Sequence, residues 1–198
     1  MRLKWIVLVV GSLLWSTAAI GQTTVTKVNG GSVKVELGYG IAVNKGSSLN
    51  REWIAINDAD LPLKIKGTPG VQAIYDAGKK YSNGSFKFVA AYTVSADEEL
   101  TAVEVRFLTF DVWGDHIRTL TATDVIDLKA GETKSLDGEW RVYSDNDIIE
   151  YYASIAYVAQ VRTKDGRVLK ANANAVLEEA KKFSAKFAMT DLEPIAEK

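Results

Sequence analysis

Residues 86–94 read Phe86-Lys87-Phe88-Val89-Ala90-Ala91-Tyr92-Thr93-Val94, and this stretch decides the fold class. Its apolar and aromatic side chains recur at every second position, so that residues 86, 88, 90, 92 and 94 share one face of an extended chain. A period of two with aromatic and β-branched residues predicts a strand with one buried face.

The segment after it, Ala102 to Val112, is apolar on both faces of an extended chain. Val103, Val105 and Phe107 would lie on one face, and Leu108, Phe110 and Val112 on the other. The change of face near 107–108 predicts either a β-bulge or a central strand that is covered on both sides.

Further short strands are predicted on either side, separated by turns every 8–12 residues. Asp115-His116 follows Trp113-Gly114 and starts a strand that pairs back across a hairpin turn. The other predicted strands are 33–37, 63–66, 71–75, 125–128, 133–136, 140–143, 153–162 and 167–170. No helical period lies between them, so the sequence offers no βαβ unit and predicts a single antiparallel β-sandwich in a mainly β chain.

The C-terminal region is the exception and predicts one amphipathic α-helix of about 14 residues. Val176, Ala180, Phe183 and Phe187 follow the i, i+4, i+7, i+11 spacing from Asn174 onwards. Asn172 or Asn174 can cap its first turn. Two interpretations stay open: the apolar stripe packs on the sandwich, or it docks on a partner or a membrane surface.

Three pieces of sequence carry a resemblance to a known fold family. They are "FLTFDVWGDHIRTL" (107–120), "DLKAGET" (127–133) and "YVAQVRTKDGRV" (157–168). They resemble immunoglobulin-like or fibronectin-type-III-like β-sandwiches of exported bacterial proteins, in which a strand, a D-x-x-G turn and a second strand precede a Gly-containing corner and a D-G hairpin. The resemblance covers about residues 53–171 and implies a fold without implying an activity. The Cys…Trp…Cys core of antibody-type domains is absent.

The first residues have the pattern of a secretory signal peptide. Arg2 and Lys4 precede an apolar run from Trp5 to Trp15, and a small-residue region ends at Gly21. The predicted organisation is a signal peptide at 1–21, an N-terminal extension with a strand at 22–50, the β-sandwich at 51–172, the helix at 173–188 and a flexible tail at 189–198. We expect no transmembrane segment after cleavage, because the apolar run is too short to span a bilayer.

Composition narrows the class of protein. Cleavage would leave 22 of the 24 basic residues against 25 acidic ones, a balance that argues against nucleic-acid binding. The chain contains no cysteine, so the exported domain would be stabilised by core packing alone, without disulfides. These features favour a periplasmic or extracellular protein of the bacterial envelope.

No motif in the sequence predicts catalysis, a cofactor or a metal. His116 is the only histidine, and no G-x-S-x-G context accompanies it, so a triad or zinc site is not supported. The acidic stretches 57–60 and 145–150 lack the spacing of a calcium loop. We therefore expect a non-enzymatic protein with no catalytic, cofactor-binding or metal-ligating residues.

The aromatic residues give the remaining functional hypothesis. Trp113 lies at a predicted loop tip, and Tyr151 and Tyr152 are adjacent, so that in a strand one of them would face outward. Trp113, Tyr151 and Tyr152 form the candidate binding surface. We expect an interaction module for an unknown protein partner or for a second copy of the chain. The alternative is a carbohydrate-binding module that uses these surface aromatics.

Overall fold

Most of the residues that the structure describes lie in β-strands. The computed structural model describes residues 23–31, 35–36, 42–43, 51–76, 85–142, 147–148 and 150–194; the predicted signal peptide lies outside them. The elements are β1 (Thr24–Gly31), β2 (Val35–Glu36), β3 (Ala42–Val43), β4 (Arg51–Asn57), β5 (Leu63–Lys66), β6 (Gln72–Asp76), β7 (Ser85–Ala96), β8 (Leu100–Asp111), β9 (His116–Asp124), β10 (Thr133–Arg141), β11 (Tyr151–Thr163), β12 (Val168–Lys170), helix α1 (Ala173–Lys181) and a 3₁₀ turn (Met189–Leu192).

Two sheets pack face to face. The large sheet has the order β1-β4-β11-β8-β9, with β12 beside β11; the small sheet has the order β10-β7-β5, with β6 also beside β7. Both sheets contribute side chains to one buried cluster, in which the Tyr92 and Phe107 rings meet edge to face with centroids 5.5 Å apart. The prediction of a mainly β chain is confirmed, and the alternation of 86–94 buries the predicted face of β7.

One strand pair differs from the antiparallel prediction. β4 lies parallel to β11, with Glu52 opposite Ala153 and Ile56 opposite Tyr157, so the large sheet is mixed. A parallel pair needs a long crossover connection. Here the connection is the chain from 58 to 150, which forms the small sheet and two strands of the large one before it returns. Local sequence patterns contain no information about such a distant pairing.

β8 is covered on both faces, as one of the two alternatives predicted. Phe107 points into the core between the sheets, whereas Leu108 and Phe110 point to the opposite face of the large sheet. Its pairing with both neighbours runs without a register shift through 107–108, so no bulge causes the change of face.

Helix α1 covers the outer face of the large sheet. Val176 and Ala180 are buried there against β4, β8 and β11, and the side-chain oxygen of Asn172 accepts a hydrogen bond from the Asn174 N–H at 3.1 Å. The helix therefore packs on the sandwich. It has 9 residues instead of about 14, because the chain turns after Lys181; the turns carry Phe187 back onto the sheet.

The predicted flexible tail is wrong for residues 189–194. Leu192 is buried, and its carbonyl oxygen accepts a hydrogen bond from Arg106 Nη1 at 2.8 Å. Arg106 Nη2 also lies 2.9 Å from the Glu193 carboxylate, and Thr119 Oγ1 donates to the Asp191 carbonyl at 2.5 Å. These bonds hold the segment on the large sheet.

Candidate functional site

The β8–β9 turn is a hairpin whose shape depends on one aspartate and one glycine. Asp111 Oδ1 accepts hydrogen bonds from the Trp113 N–H at 2.9 Å and the Asp115 N–H at 2.8 Å. Gly114 has φ +85°, a conformation that L-residues with a side chain rarely adopt. The predicted hairpin is confirmed, and its tip is held by its own hydrogen bonds.

The turn also lies in close contact with the segment that follows helix α1. A Cβ placed on Gly114 would lie 2.8 Å from the carbonyl oxygen of Phe183. Asp115 lies 3.7 Å from the ammonium of Lys186, and the Val112 N–H donates to the Glu150 carbonyl at 2.9 Å. Contacts on both sides therefore fix the tip against the rest of the domain.

Apolar and aromatic side chains gather at this tip. Trp113 is 76% exposed, and Val112 beside it is also exposed. Phe183 and Tyr152 are half-buried, with ring centroids 6.4 Å apart, and Phe183 stacks on Phe110 at 5.3 Å. We call Val112, Trp113, Tyr152 and Phe183 the hairpin-tip patch. The structure thus brings two of the three predicted surface residues to one end of the domain.

Tyr151 does not belong to that surface, and its prediction is wrong. It is 2% exposed, its hydroxyl donates to the Val71 carbonyl at 2.9 Å, and its ring meets Phe88 edge to face. Burial raises the pKa of Tyr151 to about 12. Regular alternation along β11 would place Tyr151 on the outer face with Ala153. The register of β11 against β8 shifts between these two residues, so Tyr151 enters the core between the sheets and Tyr152 packs on the outer face.

Val112 and Phe183 are the patch residues that the sequence did not predict. Val112 was placed on one strand face with Leu108 and Phe110, but it is exposed. The spacing of Phe183 from Val176 placed it on the buried stripe of a longer helix. The helix ends at Lys181, so Phe183 follows in a turn and reaches the end of the sheet instead.

His116 packs as a structural side chain below the patch. Its ring contacts Phe110 and Phe187 with centroids 5.6 and 4.9 Å away, and Nε2 lies 3.2 Å from Thr119 Oγ1. Burial lowers the pKa of His116, against the smaller opposing effects of Asp191 and a backbone hydrogen bond with Arg118. Within the described ranges, no group of three or more His, Cys, Asp or Glu residues could hold a metal ion.

The acidic stretch at 57–60 has structural partners. Asp58 Oδ1 accepts from the Asp60 N–H at 3.0 Å, and Oδ2 accepts from the Asn172 N–H at 2.5 Å. Asp58 therefore ties the β4–β5 turn to the residue that caps helix α1.

A buried cation lies at the opposite end of β4 from Asp58, where β11 begins beside the hairpin tip. Arg51 is 3% exposed, and its Nε donates to the Tyr151 carbonyl at 3.3 Å while the guanidinium lies 4.6 Å from the Tyr151 ring centroid. Nη1 and Nη2 have no hydrogen-bond partner in the part of the chain that the structure describes. Burial lowers the pKa of Arg51, with a smaller opposing effect of Tyr151.

Comparisons with known proteins provide no functional assignment. No family model and no curated protein matches the chain. A solved structure of a hypothetical protein from Peptoclostridium difficile 630 is similar over 65% of this chain and 94% of its own, with 13% identity and a TM-score of 0.43. Of the helices described, none has the length and apolar character needed to cross a membrane.

Proposed function

We propose that this chain is an exported, non-catalytic interaction module of the bacterial envelope that binds a protein partner through the hairpin-tip patch. The observation that carries the proposal is the 76% exposure of Trp113 on a turn that is fixed by internal hydrogen bonds. Trp is, with Tyr and Arg, one of the residue types enriched among the few side chains that carry most of the binding energy of a protein interface.

The rigidity of the tip supports this use. Binding to a mobile loop loses about 0.5–1.5 kcal/mol for each side chain that must be ordered. Here Asp111 holds the turn from within, and Gly114 rests on the backbone of Phe183. A partner would meet an indole whose backbone is already in place.

Export is the proposal's second part and rests on the sequence. The pattern of residues 1–21 supports a cleaved signal peptide, and the absence of cysteine suits a domain that folds without disulfides. Fractionation of cells that make the chain tests it. Recovery from the cytoplasm with residues 1–21 still attached would contradict it.

We also propose an immunoglobulin-like or fibronectin-type-III-like arrangement for the sandwich. In that arrangement strand B pairs with E in one sheet, and C pairs with F in the other. β7 pairs with β10 and β8 pairs with β11, which supports this reading, and β9 and β12 take the positions of C′ and G. β1 and the parallel strand β4 are departures from it. An experimental structure in which β7 does not pair with β10 would refute the assignment.

The partner proposal is tested by affinity, with a matched control. A partner isolated from the envelope is titrated with the native chain, with Trp113→Ala and with Val125→Ala, whose side chain is 85% exposed in another loop. We expect Trp113→Ala to weaken binding by roughly 30-fold or more, as loss of about 2 kcal/mol at a hot spot does. Equal affinity of all three chains would overturn the proposal.

The alternative function is carbohydrate binding through the same surface aromatics. It is favoured by the exposed, flat indole of Trp113, because aromatic rings can stack on the apolar face of a sugar. Envelope polysaccharides would then quench the fluorescence of the native chain and leave that of Trp113→Phe unchanged. Quenching that is the same in both chains would exclude this site.

A further inference from the structure

The outer face of the small sheet contains a hollow where one side of β7 lacks a strand partner. β6 pairs with β7 up to Val89, and β5 resumes the pairing at Thr93. The five residues 67–71 pass the three residues 90–92 between them, and no backbone hydrogen bond joins the two stretches. Because backbone groups of a strand point alternately to its two sides, at least one N–H and one C=O of 90–92 face this gap.

Two adjoining cavities occupy the gap, with volumes of about 340 and 290 Å³. Thr68, Pro69 and Ala91 line both, so the two form one depression. The larger cavity alone is within the size range of small-molecule sites. Ala91 of β7 has a small side chain on the outer face and leaves the middle of this face uncovered, and the backbone of Gly138 lines the hollow beside it.

At the floor of the hollow, any side chain larger than hydrogen at position 70 would collide with the indole of Trp53. Gly70 lies against the indole of Trp53 so closely that a Cβ at position 70 would be 1.9 Å from ring atoms. Trp53 and Pro69 therefore supply apolar surface at the base of the hollow. Because Gly70 has no side chain, the indole of Trp53 can lie directly against the backbone there and form this base.

The rim carries hydrogen-bonding groups of both types. Thr93 Oγ1 and Ser135 Oγ lie 3.2 Å apart and are exposed, and Gln72 adds an amide. Asp137 and Glu139 line the β10 side with carboxylates, which accept hydrogen bonds from neighbouring hydroxyls. Donors and acceptors thus surround a small apolar base.

The charge of the hollow is balanced. Glu139 is paired with Lys87 at 2.6 Å, and Lys66 stands on the rim opposite Asp137. Two carboxylates and two ammonium groups leave no net charge to attract an anion or a cation. A neutral ligand with many hydroxyl groups and an apolar ring face matches this chemistry.

We propose that the hollow over Ala91 and Gly138 is a binding site for a neutral saccharide. Sugar hydroxyls would meet the carboxylates, the Thr and Ser hydroxyls and the unpaired backbone groups, while a C–H face rests on Pro69 and Trp53. The site is on the sheet opposite the hairpin-tip patch, so it is independent of the proposed partner surface.

The test is a titration of the purified ¹⁵N-labelled chain with maltotriose, cellotriose and triacetylchitotriose, followed by NMR. Each sugar is added up to about 10 mM, which detects a millimolar Kd. We expect at least one sugar to shift the amide signals of 68–72, 89–93 and 135–139. If none shifts them, or if shifts are confined to Trp113 and its neighbours, the proposal is overturned.

Two variants and a control locate the site. Ala91→Arg fills the hollow and should abolish binding, and Asp137→Asn should weaken it at least about tenfold. Ala130→Arg places the same side chain at an exposed alanine outside the hollow and should bind as the native chain does. Circular dichroism confirms that each variant is folded. Native affinity in folded Asp137→Asn and folded Ala91→Arg would refute the assignment, whatever the result for a protein partner.

Discussion

Substitution of Gly114 by alanine tests whether the hairpin tip rests on the segment after helix α1. Gly114 has φ +85°, and its Cβ would lie 2.8 Å from the carbonyl oxygen of Phe183. Gly131 is the matched control, because it has φ +80° and nothing within 4 Å of its would-be Cβ. Both variants carry the strain of a left-handed alanine, about 1–2 kcal/mol, and both gain the same restriction of the unfolded chain.

The difference between the two variants isolates the contact. Moving a backbone carbonyl to make room costs about 1–3 kcal/mol, as overpacking does elsewhere in proteins. Gly114→Ala should therefore lower the free energy of unfolding by about 1–3 kcal/mol more than Gly131→Ala does. For a chain of this size, each kcal/mol corresponds to roughly 2–4 °C in Tm.

Urea unfolding followed by far-ultraviolet circular dichroism measures this difference. The midpoint concentration should fall further for Gly114→Ala, with the same slope for both variants, since the native surface is unchanged. Equal urea midpoints for Gly114→Ala and Gly131→Ala would show that Gly114 is not in close contact with the Phe183 carbonyl. The hairpin-tip patch would then not be the fixed surface described above.

Three further predictions concern buried or clamped charges. Burial lowers the pKa of His116 in the folded state, so the unfolded chain binds a proton more readily. The free energy of unfolding should therefore be highest above about pH 6.5 and should fall as the pH drops below that value. In thermal melts between about pH 5 and 7.5, His116→Leu should show a smaller fall than the native chain. Arg51→Met removes a buried guanidinium whose Nη1 and Nη2 have no hydrogen-bond partner among the described residues, so it should raise the free energy of unfolding by about 1 kcal/mol in urea titrations. A loss of several kcal/mol would mean that Nη1 and Nη2 are hydrogen-bonded in the folded protein. Arg106→Met should lower the free energy of unfolding by about 2–4 kcal/mol and speed amide hydrogen exchange in the 3₁₀ turn. Glu193→Ala removes only the exposed partner of Arg106 and should lower the free energy of unfolding by less than about 1 kcal/mol. Equal effects of the two substitutions would refute the proposal that Arg106 holds the turn on the sheet.

Strands with apolar side chains on one face only were predictable, because burial of that face produces the alternating pattern in the sequence. β7 alternates over its whole length, and each apolar side chain of residues 86–94 that was assigned inward is buried. The β8–β9 hairpin was predictable as well, since Asp111 and Gly114 impose the turn through local bonds. These features need no information from distant parts of the chain.

Elements that depend on distant contacts were not predictable in the same way. β10 is one strand from Thr133 to Arg141, where two strands were predicted at 133–136 and 140–143. The Trp140 ring lies over Gly138, between the two predicted strands, and fills the place of its side chain. The predicted strand at 125–128 makes only one bridge, from Leu128 to Leu100. β1 lies in the predicted N-terminal extension, for which the sequence predicts a strand only at 33–37; it is a strand because β4 offers an edge to pair with.

The candidate surface was predictable in part, for a physical reason. The hairpin turn placed Trp113 at a tip, where an indole has few neighbours to cover it. For Tyr151 and Tyr152, alternation predicted one inward and one outward ring without saying which. That choice is made by the register shift between Tyr151 and Ala153 in the pairing of β11 with β8, which local alternation does not predict. No pattern in the sequence predicts the hollow on the small sheet, because the hollow arises from the gap between β5 and β6 along β7.

Site-specific cross-linking in the native envelope tests the central claim most directly. A photo-reactive amino acid replaces Val112, beside Trp113 in the hairpin-tip patch, in one chain and Val125, which is also exposed, in another. Proposed partner binding predicts one cross-linked protein from position 112, none from position 125, and competition by excess native chain but not by Trp113→Ala. Equal capture from both positions, or capture only of a second copy of the chain, would contradict the partner proposal.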